Sequence, residues 1–361
     1  MVKLVDRYVG RAALMGMLSV WFVMTVLFIL LTLLGELRDT QGDYGTGDVF
    51  WFIALTTPRM AYQIFPISAL IGALVGVGGL AAANELVAFR TSGVSRTRLA
   101  LAGIAGAMLL TVPVVIMGEW VAPAAEQQAR AFRLSEMVGR AIIGGPSGVW
   151  MRDGKDIVNI KLPLLSANRG EQSVEFKNIV IYNFADNSSL QAITRADNAF
   201  PSGEAWTLEN VSTVHFGDSG ARSSHSGQQT WPTEVKPELL DSAVTRPSRL
   251  SVRSLWDYLG YLDENGLDDR IYQAAFWEKT LFPFTVIALV LAGMPFVFGA
   301  ARMHNLGVRL FFGMALGGLF MIISRAFQKF GDVYDLPAAL TIILPPLVLS
   351  IVATLILRRS V

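Results

Sequence analysis

Backbone amides cannot go unpaired in hydrocarbon, so a run of about 20 mostly apolar residues commits a chain to a membrane-spanning helix. Six runs meet that length, at about residues 12–34, 60–83, 99–121, 281–300, 308–330 and 336–357. Pro66 lies early in the second. The first run is longer than the apolar core of a signal peptide, and no A-x-A-like cleavage site follows it before Glu36 and Asp39. It is therefore expected to remain in the mature protein. Charged residues make up only 16% of the chain, against about 25% in soluble domains, which points to lipid as part of the solvent.

Orientation follows from Lys and Arg in the short connections. Lys3, Arg7, Arg11, Arg90, Arg96, Arg98, Arg302, Arg309, Arg358 and Arg359 all fall on one side, which is read as the cytoplasm. The opposite short loops, residues 36–48 and 331–335, are mainly acidic. Both termini are then inside, and the long interval between the third and fourth runs is outside.

That interval, residues 124–279, is long enough to bury a core of its own. Alternating or β-branched stretches at 149–151, 156–161, 178–184, 190–195, 206–208 and 211–216 read as strands. Turn chemistry separates them: Asp153-Gly154, Asp186-Asn187, Pro201-Ser202-Gly203 and Asp218-Ser219-Gly220. Short strands at this spacing predict an antiparallel sandwich or β-jelly roll. Helices at 123–138 and 251–262, the second with Ser251 as N-cap, are expected to flank it. The acceptor patterns at Asn187 and Asn210 read as turn or strand residues. The fold class is thus a polytopic α-helical membrane protein of six transmembrane helices, with a β domain inserted between helices 3 and 4. Its divisions are 1–123, 124–279 and 280–361.

Several chemistries are missing from the sequence. There is no G-x-x-x-x-G-K-[ST], no H-E-x-x-H and no G-x-S-x-G, so the chain is not expected to be a hydrolase on its own. There are no cysteines, and His215, His225 and His304 are scattered, so neither a metal nor another cofactor is expected. Gly76-Val77-Gly78-Gly79 lies inside a span, where small residues serve close helix approach, as do Gly72/Gly76 and Gly313/Gly317.

Two features remain to carry function. The cytoplasmic segment Asn84-Glu85-Leu86-Val87-Ala88-Phe89-Arg90, at about 84–92, reads as a short helix with Asn84 as cap and Gly93 as its end. It is either a solvated connector or a knob docking a cytoplasmic motor through Glu85, Leu86, Phe89 and Arg90. The second feature is a set of cations on the wrong side: Arg38, Arg59, Arg130, Arg133, Arg325 and Lys329. Singly, each reads as snorkelling or as pairing with Glu36, Asp39 or Glu126. Together they suit the phosphates of an anionic lipid, and Arg325 and Lys329 share a helix face at i, i+4. Glu119 and Trp120 read as an interfacial anchor.

The run Gly118-Glu119-Trp120-Val121-Ala122-Pro123, followed by Glu126-Gln127 and Ala129-Arg130-x-x-Arg133, closely resembles the LptF/LptG permeases of lipopolysaccharide export. Further matches are Leu4-x-Asp6-Arg7-Tyr8, Glu85-Leu86-Val87, Gly148-Val149-Trp150, Tyr258-x-x-Tyr261-Leu262 and Trp277-x-Lys279. The resemblance covers nearly the whole chain and is greater to the G-type subunit than to the F-type. It implies a bacterial inner-membrane protein whose β domain is periplasmic. The implied partners are an LptF-type permease as heterodimer, two copies of an LptB-type cytoplasmic ATPase that binds the ATP, and an LptC-type single-span protein with its own β-jelly roll. Lipopolysaccharide is the implied substrate, and no nucleic acid is expected. Glu85 then belongs to a coupling helix, while Arg59 and Arg133 fall where basic residues face lipid A phosphates. The lysine cluster of the G subunit is reduced here to Arg38 followed by Asp39, and Arg325 with Lys329 would compensate. Two rival readings stand beside this one. A mechanotransmission subunit would relay ATP-driven motion without moving lipid, and a membrane enzyme would need clustered nucleophile and base residues that are absent from the sequence.

Overall fold

The computed structural model describes residues 4–37, 45–138, 142–145, 148–153, 155–168, 171–185, 189–202, 205–217, 220–231, 246–264, 269–298 and 305–359. They form two compact units. One comprises Met1–Thr32, Thr57–Pro123 and Leu250–Val361; the other comprises Leu33–Thr56 and Ala124–Arg249.

In the first half the helices are α1 (Leu4–Glu36), α2 (Thr46–Ala82), α3 (Glu85–Thr91), α4 (Arg96–Ile116) and α5 (Ala122–Val138). After the strands come α6 (Val252–Glu264), α7 (Arg270–Thr280), α8 (Phe282–Phe298), α9 (Leu306–Val333) and α10 (Ala338–Arg359). Among the described residues five helices are long and apolar enough to cross a membrane, or six if α7 and α8 count as one bent span. The bend is 57°. Its cause is in the sequence: Pro283 has no N–H to donate, and its ring would clash with the carbonyl four residues back, that of Lys279. A second irregularity follows Pro113 in α4, where Met117–Val121 forms a π-turn carrying Gly118, Glu119 and Trp120.

Packing in the first unit depends on close backbone approach, because lipid tails are as apolar as the helices and hydrophobicity alone does not drive them together. A Cβ on Gly16 would meet the Gly72 carbonyl and Gly76 Cα, and one on Gly76 would meet the Ala12 carbonyl. So α1 and α2 cross at their backbones. Gly313 and Gly317 play the softer version of this role, facing Ile71 and Ile67 side chains. Around these crossings Val9, Met17, Phe65, Val77, Leu99, Val286 and Met294 form the core. Trp21 donates from Nε1 to the Ala61 carbonyl at 2.8 Å, bonding the α1–α2 pair at a backbone group.

In the second unit the strands β1 (Ile142–Gly145), β2 (Gly148–Asp153), β3 (Asp156–Asn168), β4 (Glu171–Phe184), β5 (Leu190–Ser202), β6 (Ala205–Gly217) and β7 (Gly220–Trp231) form one antiparallel sheet in sequential order. The two expected strands at 206–208 and 211–216 are a single strand, β6. This order is a meander, whereas a jelly roll interleaves its strands through Greek keys. The inward face buries Val158, Ile160, Phe176, Ile179, Ile181, Ala196, Trp206, Leu208, Val211 and Trp231, with Trp206 stacked on Phe176 at 4.6 Å.

Alternation along the strands slips by one residue at a shared level. Phe176 and Ile179, Ala196 and Ala199, and Leu208 and Val211 are all buried although each pair is three apart. Asn178 and Asn210 have positive φ (55° and 53°), and Asn178 lies level with Asp197, Asn210 and Gly227 in the register. Asn210 also donates its side-chain amide to Asp197. The row is a crease: the alternation slips there by one residue in β4, β5 and β6, so that side chains on both sides of it stay on the inner face. The turn residues Gly154, Asp186, Asn187, Gly203, Asp218 and Ser219 lie outside the described residues.

Candidate functional site

On the side assigned to the cytoplasm, α3 is a helix of seven residues. Asn84 does not cap it: the residue is left-handed (φ 60°) with no side-chain bond, and its N–H closes the end of α2 on the Ala81 carbonyl. Asn tolerates that conformation, so here it breaks one helix from the next. Gly93, at φ 88°, donates to the Arg90 carbonyl and ends α3 as expected. Leu86 is buried in the first unit's core, so it seats the helix rather than presenting a docking face. Val87 and Arg90 are exposed and Glu85 is half-buried.

Two contacts tie the start of α1 to this segment. The Tyr8 hydroxyl hydrogen-bonds Glu85, and its ring meets Phe89 edge-on at 6.1 Å. Asp6 accepts from Arg98 Nε at 2.9 Å and Nη2 at 2.7 Å, a bidentate pair between the first turns of α1 and α4.

The wrong-side cations fall into two sets. In the first unit are Arg59 on α2 and Arg325 and Lys329 on α9. Arg325 is exposed and lies within electrostatic reach of Glu278, which also accepts from Gln328 Nε2 at 2.8 Å. Lys329 pairs with Asp332 at 3.3 Å, both well exposed. Near the break between α7 and α8, Lys279 sits 5.7 Å over the ring of Tyr62, which stacks on Phe282 at 4.2 Å. Glu119 and Arg59 act on Lys279 electrostatically.

In the second unit Arg130 places Nε and Nη2 on one oxygen of Glu126, at 3.0 and 2.9 Å, and Arg249 approaches the same oxygen at 3.3 Å. Glu126 is buried, so these two guanidinium groups compensate an internal charge. Arg133 instead pairs with Glu36 at 3.1 Å and lies 5.3 Å over the Phe52 ring. Arg38 and Asp39 lie outside the described residues.

Glu119 has a role that differs from the interfacial anchor expected of it. Its carboxylate accepts from the backbone N–H of Val252 (2.9 Å) and Arg253 (3.2 Å), at the N-terminus of α6. Ser251 Oγ accepts from Ser254 N–H in the same turn, the capping expected of it. Trp120 is 67% exposed and keeps the interfacial reading.

The sequence matches the family described as "Lipopolysaccharide export system permease LptF/LptG" over residues 7–359. The chain belongs to the LptF/LptG family. It is 30% identical to the lipopolysaccharide export system permease protein LptG of Escherichia coli K12, covering 98% of both chains. It is 29% identical to LptG of Haemophilus influenzae, over 100% of this chain and 99% of that one. The similarity to LptF of Escherichia coli K12, 27% identical, covers only 33% of either chain. This LptF/LptG-family chain is thus similar to LptG along its full length.

Arg249, Lys279, Tyr62, Glu278 and the Asp6–Arg98 pair were not among the candidate residues. Arg249 lies far from Glu126 in sequence and stands in no recognisable pattern. Lys279 had a signal, since a Lys at the head of an apolar run is unusual.

Proposed function

We propose that this chain is the G-type permease half of an ATP-driven lipopolysaccharide exporter in the bacterial inner membrane. It crosses six times, with α7 and α8 counted as one broken span, keeps both termini in the cytoplasm and holds its sheet in the periplasm. An LptF-type permease completes the heterodimer, two LptB-type ATPases bind the pair, and α3 around Glu85 receives the ATPase stroke. The substrate leaves the outer leaflet through an outward-facing cavity and passes over the sheet toward an LptC-type partner, whose own β-jelly roll would continue the path.

The observation that carries this reading is the uneven covering of the apolar helices. Only 6% of the most apolar stretch of α1 and 17% of that of α9 are buried, against 61% for α2. Phe22, Leu31, Phe311 and Ile322 are each more than half exposed. Large unpartnered apolar faces of this kind suit acyl chains and a second permease. In this reading the first and fifth spans bound the cavity, and Arg59, Arg133 and Arg325 would serve the phosphates.

The mechanotransmission reading draws support from the pairing of Arg130 with Glu126 and Lys329 with Asp332, which a relay could use purely structurally. Reconstituted complex separates the two. Neutralising Arg133 together with Arg325 should lower lipopolysaccharide-stimulated ATP turnover with assembly intact; unchanged stimulation refutes the phosphate role. Lipopolysaccharide extracted along with the purified complex favours the exporter over the relay.

A further inference from the structure

Three helical segments that belong to the second unit meet at Arg133: its own α5, the last residue of α1 and the first turns of α2. Its Nη2 lies 3.1 Å from Glu36 Oε2, with side-chain exposures of 26% and 14%. Below the guanidinium is the ring of Phe52, itself 6% exposed. The pair differs from its neighbour. Glu126 holds two guanidinium groups, Arg130 and Arg249, on one buried oxygen. Glu36 holds Arg133 from an unfavourable position. It is the C-terminal residue of a helix 33 residues long with no basic residue in its last turn. The helix dipole presents partial negative charge at that end, which opposes a carboxylate there.

We propose that Glu36 is a built-in competitor for Arg133, standing where the phosphate of the transported lipid binds and exchanging with it. This inference rests on the phosphate reading above and adds the group that limits affinity and drives release. The chemistry favours exchange in one direction only when the incoming anion is a phosphomonoester. Such a group carries a charge of about −1.5 to −2 at neutral pH and three acceptor oxygens, against one charge and two oxygens for Glu36. Arg presents a planar fork that suits either partner, and Phe52 lies under its face in both states, so the guanidinium turns little on exchange. When the lipid is withdrawn, the carboxylate returns and blocks rebinding. An amphiphile without phosphate would not displace it.

The test uses the assembled complex with its partner permease and ATPase. Equilibrium binding and dissociation are measured for lipopolysaccharide and for the same lipopolysaccharide stripped of lipid A phosphates. Glu36→Gln should bind the phosphorylated lipid on the order of tenfold more tightly, mainly through slower dissociation, and bind the stripped lipid unchanged. Glu36→Asp, whose shorter side chain lengthens the ion pair, should fall between wild type and Glu36→Gln, and serves if Glu36→Gln assembles poorly. Arg133→Gln should weaken binding, and the double variant should match Arg133→Gln alone, because a competitor without its target has no effect. Glu36 variants that bind as wild type while Arg133→Gln weakens overturn the competitor and leave the phosphate reading standing. An Arg133→Gln variant that binds as wild type overturns both.

Discussion

Replacing Glu119 by alanine removes the acceptor for two backbone N–H groups at the start of α6, those of Val252 and Arg253. A hydrogen bond to a charged group contributes about 1.5–3 kcal/mol, and a lost helix cap costs about 0.5–2 kcal/mol. The two bonds share one carboxylate, and Ser251 still caps the Ser254 N–H, so the combined loss should be about 2–4 kcal/mol. Glu119→Gln keeps an acceptor oxygen but loses the charge that faces the helix dipole, and should cost about 1 kcal/mol. Hydrogen exchange in the purified complex measures this locally. The amides of Val252 and Arg253 should lose the most protection in Glu119→Ala and an intermediate amount in Glu119→Gln, while α8 is unchanged. Equal losses in the two variants would refute the charge argument, and unchanged exchange at both amides would refute the cap itself.

Gly76→Ala drives a Cβ into the Ala12 carbonyl and should destabilise the α1–α2 crossing by about 1–3 kcal/mol, read as a lower thermal midpoint in detergent; Gly79→Ala, with nothing near its new Cβ, is the neutral control. Asp6→Asn should weaken the half-exposed bidentate pair with Arg98 by about 1 kcal/mol, and the swap Asp6→Arg with Arg98→Asp should recover part of it, both followed by exchange in the first turn of α4. Asn210→Val forces a β-branched residue to φ 53° and should cost about 1–2 kcal/mol, seen as faster proteolysis of the sheet, whereas Asn210→Gly keeps the crease and loses only the bond to Asp197.

Hydropathy was legible because lipid permits so few alternatives, and the apolar runs became α1, α2, α4, α8, α9 and α10. The fourth apolar run begins at Leu281. Pro283 breaks the helix just there, and the polar turn before it, with Glu278 and Lys279, joins the span only through a bend. In the sheet, strands with one buried face announced themselves by alternation. Strand β7 did not, because every residue from Gly220 to Thr230 is exposed and nothing selects apolar side chains there. The crease also hid a strand, since a one-residue slip at Asn210 made β6 read as two. The cations were visible as a set, but their partners were not. Glu126 at i−4 from Arg130 could be read from helical spacing, whereas Arg249 and the facing of Glu36 to Arg133 depend on tertiary folding.

A domain inserted between two helices has an outgoing and a returning chain. Here each unit secures its own side with one carboxylate. In the first unit Glu119 on the outgoing chain takes the N–H groups of Val252 and Arg253 on the returning one. In the second, Glu126 on the outgoing chain takes the guanidinium of Arg249 on the returning one. The π-turn at Met117–Val121 gives the first of these its aim, since an extra residue in the turn rotates the side chains that follow it. A helix regular through Pro113 would point Glu119 elsewhere. The Gly-Glu-Trp run therefore has a local physical reason. Gly118 packs where a Cβ would meet the ring of Tyr62, Glu119 closes the returning helix, and Trp120 faces outward.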